Sequence, residues 1–217
     1  MRNRITLFLA LASAVLLNAA VAPDRAWAVI CNNGGAGADP AGIDGGIANN
    51  TTCGVNANAS GVATNSAYGF QATSNGLNSA NTATGANANA SGDDSSNSAY
   101  GSAASAVGNN SQNTASGNNA SAVGTGSNNT ATGTLANAAG DGSTNVATGL
   151  SANASGANGT NTATGAGANA SGNGTGGSLS ANIATGRSAD ASGDNGNNIA
   201  TGTSSDASGR AGMSFGW

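Results

Sequence analysis

Residues able to do chemistry are scarce in this chain, and that scarcity is the first constraint on function. Its 217 residues include no His, Glu or Lys; the ionisable groups are nine Asp, five Arg, two Cys and two Tyr. General acid–base catalysis needs a group poised near neutral pH and within reach of a reacting atom. Nothing here supplies one. Asp93 and Asp94 are neighbours, and alternation would point them apart. Cys31 and Cys53 have no imidazole to activate a thiolate, so neither reads as a nucleophile. No phosphate-binding loop or zinc-ligand set is present. The chain reads as a non-enzyme with no cofactor.

Two patterns bear on cations. Gly34-Gly35-Ala36-Gly37-Ala38-Asp39 matches the start of a calcium-binding nonapeptide. Such sites surround the ion with successive turns, and this match occurs once, so chance in a Gly-rich stretch is the preferred reading. Asp190 and Asp206 fall at equivalent places in adjacent repeats, with Asp194 nearby. They read as a solvated acidic edge rather than a metal site.

Hydroxyls are far more numerous, and they are periodic. Asn161-Thr162-Ala163-Thr164-Gly165-Ala166-Gly167-Ala168-Asn169-Ala170-Ser171-Gly172 recurs in ten copies. The copies begin at Asn50, Asn65, Asn81, Asn97, Asn113, Asn129, Asn145, Asn161, Asn182 and Asn198. The spacing is 16 residues, except that the first copy is one residue short and five extra residues precede Asn182. Such a period is the signature of a repeat architecture. Numbered within a copy, Gly holds positions 5 and 12 in all ten, and Ala holds positions 3, 8 and 10 with single exceptions (Thr52, Ser205 and Ser74). Positions 13 to 16 vary among Gly, Asn, Ser and Asp, which is turn chemistry.

The elements that carry these residues follow from parity. Side chains alternate across a strand, so positions 2 and 4 share one face and position 3 the other. Ala83, Ala88 and Ala90, like Ala163, Ala168 and Ala170, form an inner set on two short facing strands, with Gly turning the chain at the strand ends. The outer set holds Thr82 and Thr84, Thr130 and Thr132, Val146 and Thr148, Thr162 and Thr164, Ile183 and Thr185, Ile199 and Thr201. This outer face is the candidate site, for a ligand or for packing against another chain. The fold expected is all-β: a parallel β-solenoid, or β-roll, of about ten 16-residue coils. Burying Ala contributes little, at roughly 25 cal/mol per Å² of apolar surface. Ladder hydrogen bonds, Asn stacking at position 1 and self-association are expected to supply the rest.

Residues 1–28 read as a secretory signal peptide, with Arg2 and Arg4, an apolar run, and Ala26-Trp27-Ala28 as the cleavage pattern. Residues 29–49 are a Gly-rich leader or cap, 50–213 the repeats, and 214–217 a tail. An oxidising compartment makes a Cys31–Cys53 disulfide plausible, the alternative being two free thiols. The mature chain carries about −6, from two Arg and eight Asp, with no basic patch, so nucleic acid is not an expected partner. Asn-x-Ser/Thr sequons such as Asn89-Ala90-Ser91 follow from the repeat itself. Ala211, Met213, Phe215 and Trp217 alternate, as in a strand capping the last coil.

The segments Asn145–Gly156 and Asn182–Gly193 resemble the S-V-A-x-G-x-x-A-x-A-x-G repeats of YadA-type trimeric autotransporter adhesin heads. The likeness covers about three quarters of the chain. It implies a left-handed roll, a homotrimer, and adhesion to a matrix protein or cell-surface ligand, secreted or at the cell surface, with outer-membrane association if an anchor is supplied elsewhere. The period of 16 exceeds that family's usual 14, and neither a heptad stalk nor a membrane anchor is recognisable. The Thr-x-Thr rows also resemble those of β-solenoid ice-binding proteins, which makes ice binding the second expectation. A truncated, non-functional head fragment is the third.

Overall fold

A computed structural model describes residues 30–31, 50–62, 64–175, 179–209 and 213–215. The signal peptide, nearly all of the leader, and Trp217 lie outside these residues. Among the described residues there is no helix, and one parallel sheet runs the length of the repeats. It opens with β1 (Ile30–Cys31), continues with one strand per copy from β2 (Thr51–Cys53) to β11 (Ile199–Thr201), and ends with β12 (Met213–Phe215). Strand order equals chain order. The architecture is a parallel β-solenoid of about nine turns, as the period predicts.

One coil, Asn129 to Thr144, shows how the residues make the fold. Its strand β7 (Thr130–Thr132) puts Ala131 inward, and Ala136 and Ala138 face it from across the coil, all fully buried. The expected second strand is not there. Position 9 makes only isolated parallel bridges, such as Asn137 to Asn153. The cause is local: Ala136 donates its N–H back to Gly133 O at 3.2 Å, closing a turn. That donor is then lost to any ladder.

The backbone is nevertheless satisfied almost all the way round, as buried polar groups require. Thr130 and Asn137 donate to the following coil, at Asn145 O and Ala152 O; Gly133, Leu135, Ala138 and Gly140 donate to the preceding one. Side chains fill the gaps. Asn129 Oδ1 accepts the Asn145 N–H at 3.0 Å, while Asn129 Nδ2 donates to Gly140 O at 2.8 Å and Val123 O at 3.3 Å. The same position-1 link runs from Asn50 to Asn198, at 2.9 to 3.2 Å per step. The column ends at Asn198, whose Oδ1 is buried without a partner.

Glycine at position 5 does more than turn the chain. Gly133 has φ +126°, and a Cβ there would lie 2.6 Å from Gly149 O of the next coil. Two residues on, position 7 is left-handed in every copy, Leu135 at φ 59° included. The five extra residues before Asn182 leave the pairing intact: Ile183 still faces Thr162, and Leu179 is exposed.

Candidate binding face

The parallel pairing stacks positions 2 and 4 into two rows along the sheet. Thr82, Ser98, Thr114, Thr130, Val146, Thr162, Ile183 and Ile199 succeed one another as register partners in the first. Thr84, Tyr100, Ser116, Thr132, Thr148, Thr164, Thr185 and Thr201 do so in the second. Neighbouring strands lie ~4.8 Å apart, and alternate residues on one strand ~6.7 Å apart. Position 2 is mostly half-buried and position 4 mostly exposed. The inner residues Ala83, Ala88, Ala90, Ala163, Ala168 and Ala170 are fully buried beneath them.

Among the described residues, none of the Thr hydroxyls in these rows makes an intramolecular hydrogen bond. The opposite face differs. Asn137 donates to Asn153 Oδ1 at 3.2 Å, Asn153 to Asn169 Oδ1 at 3.1 Å, and Asn169 to Asp190 Oδ1 at 3.2 Å. Ser155 and Ser171 close onto Asn153 and Asn169. From Asn137 to Asp190 its amides and carboxylate are thus linked from coil to coil.

The acidic residues are engaged as well. Asp190 and Asp206 are bridge partners, and each accepts a backbone N–H two residues on, at 2.9 Å from Ser192 and Ser208. The Ser208 N–H, and after it the Ser208 hydroxyl, hold the exposed Asp206 carboxyl below its ordinary value. Asp141 and Asp194 each accept a position-13 N–H from the preceding coil, at 2.8 Å. They edge a shallow polar groove through Gly140, Gly156 and Gly172, with one oxygen of each carboxylate already accepting a hydrogen bond. No group of three metal-ligating side chains occurs among the described residues. The nonapeptide-like stretch at residues 34–39 lies outside them.

At the sheet's N-terminal end, the two cysteines of the chain are register partners: Cys31 in β1 stands opposite Cys53 in β2. Among the described residues no helix is long and apolar enough to cross a membrane.

Position 15 escapes the sequence reading, which places it in a variable loop. Ser79, Ser95, Ser111, Ser127 and Ser143 are buried there, and Ser143 Oγ lies 2.8 Å from Asn129 Oδ1 and 2.6 Å from Gly140 O. The signal was that the residue two before the first Asn of each copy, from Asn81 onward, is always Ser or Gly. No family model matches the chain, and searches of curated proteins and of solved structures return no match either.

Proposed function

We propose that this chain is an exported, non-enzymatic adhesion protein that attaches to other surfaces or to its own copies through the strand face. One observation carries the reading. Among the described residues the Thr hydroxyls at positions 2 and 4 make no hydrogen bond, whereas on the opposite face the Asn137, Asn153 and Asn169 amides are linked from coil to coil. A periodic face with unbonded Thr hydroxyls is available for recognition, and β-branched residues with few charges suit interface packing. The YadA-like repeats support adhesion to a matrix protein or cell-surface ligand. In this reading three chains pack side by side, with Val146, Ile183 and Ile199 supplying apolar contact. Light scattering of the mature chain tests the assembly, and immobilised collagen and fibronectin test the ligand. A trimer that binds either supports adhesion; a monomer that binds neither removes the reading.

A second reading rests on register. Thr130/Thr132 and Thr162/Thr164 stand in register on one sheet, two strands apart, as regular hydroxyl–methyl pairs of the kind an ice-binding face would use. Thermal hysteresis in a monomer, abolished by Thr132→Lys, supports it; a trimer that buries Thr132 sinks it.

A further inference from the structure

The strand face is not uniform along its length. Tyr occurs at position 4 in the second and fourth copies, at Tyr68 and Tyr100, with Thr84 between them as register partner of both. In those two copies, and in no others, position 2 is Ser: Ser66-Ala67-Tyr68 and Ser98-Ala99-Tyr100 flank Thr82-Ala83-Thr84. Every other copy has Thr, Val or Ile at position 2. A small residue thus accompanies each large ring and leaves space beside it on the sheet. The rings serve no core, because the core is Ala; Tyr100 is 44% exposed, and Phe70, two residues past Tyr68, is 50% exposed. Tyr68 is half-buried and Tyr100 exposed, and in a chain with only seven aromatic residues two rings on alternate coils of one face offer a surface to a partner.

We propose that Tyr68, Thr84 and Tyr100 form a platform for a neutral, β-linked polysaccharide. This assignment rests on the strand face being the binding face. Charge selects the ligand: positions 2 and 4 carry no Asp or Arg in any copy, so an anionic polymer or a basic peptide finds no counter-ion there. Geometry selects the linkage. The two Tyr are two strands apart, about 9.6 Å. In a β-1,4-linked chain consecutive sugar rings are flipped, so every second ring presents the same face, which suits aromatics on alternate coils. The negative ring face complements the C–H face of a pyranose. The Ser66, Thr84 and Ser98 hydroxyls make no internal hydrogen bond and are left for the intervening sugar.

Depletion of the full mature chain from solution by amorphous cellulose and by chitin tests this. The expected result is retention on at least one of them. It falls about tenfold in Tyr100→Ala, as for a central aromatic contact, is recovered in Tyr100→Phe, and is unchanged in Leu150→Ala, an exposed residue outside the two rows. Circular dichroism shows that each variant keeps the fold. No retention on either polysaccharide overturns the assignment, as does retention indifferent to Tyr68→Ala and Tyr100→Ala. So does a change of oligomeric mass in those variants, which would place the rings between subunits. Collagen or fibronectin binding that persists without polysaccharide retention overturns this assignment alone and leaves the adhesion reading standing.

Discussion

Thr130 and Asn137 lie in one coil, on opposite sides of the same Ala core, and both point outward. Asn137 is tied on both ends of its amide: Nδ2 donates to Asn153, and Oδ1 accepts the Ala139 N–H at 3.2 Å. Thr130 is tied to nothing but its own backbone, whose N–H donates to Asn145 O. The difference follows from strand content. A three-residue strand satisfies its own N–H and C=O groups through neighbouring strands, which frees its side chains. The bridge side has a single ladder residue per coil, so side chains complete its hydrogen bonding. The solenoid is therefore held on one side largely by backbone and on the other partly by amides such as Asn137 and Asn153.

The contrast can be broken most severely at the glycine that separates the two sides. Gly133→Ala sets a methyl against Gly149 O and removes the left-handed freedom of the backbone; it is expected to prevent folding or cost more than about 4 kcal/mol, read as loss of the thermal transition. Next is the inward column. Asn129→Ala deletes hydrogen bonds to Asn145, Gly140, Val123 and Ser143 and leaves buried groups unpaired, a loss of about 3 kcal/mol or more by urea denaturation. Thr130→Ala, one residue away on the uncommitted face, should stay within about 0.5 kcal/mol. Equal effects would erase the distinction between the two columns.

The N-terminal end offers a third test. Cys31 and Cys53, brought opposite by the β1–β2 register, are expected to be disulfide-bonded if the chain is exported as proposed. Cys53→Ser should then lower stability by about 3 kcal/mol under oxidising conditions, with little change under reduction. A thiol titration that finds two reactive cysteines in the secreted chain refutes the bond. Thr52 sharpens the contrast in the other direction. It sits at the inward Ala position, and its Oγ1 is buried without a partner. Thr52→Val removes that hydroxyl at nearly constant shape and should raise stability by about 1 kcal/mol.

The smallest effect is electrostatic. Because the folded carboxyl of Asp206 titrates below its ordinary value, its contribution is present above the unfolded value and lost as pH falls through the folded one. Full exposure keeps it small. NMR titration should place Asp206 below an unfolded-peptide reference, and Ser208→Pro, which removes the backbone donor, should return it there.

Much of the candidate face was legible in the residues. Parity separated Thr162 and Thr164 from Ala163, Ala168 and Ala170, because strand alternation is a property of the chain itself. The Gly at positions 5 and 12 signalled turns, but not that a neighbouring coil leaves no room for a Cβ; that contact exists only once coils stack. Ser143 was read as loop because its partners, Asn129 and Gly140, lie 14 and 3 residues back and meet it only in the closed coil. The second strand failed because a turn bond from Ala136 to Gly133 takes the donor a ladder would need.

The amino-acid order alone determined the period, the small-residue core and the two rows of outward hydroxyls, since all three follow from repetition and from the alternation of a single extended segment. Tertiary structure decided which polar groups are spent. Whether Asn137 or Thr130 has a hydrogen-bond partner depends on what the next coil presents across ~4.8 Å, and that distance belongs to the stack rather than to any one copy of the repeat.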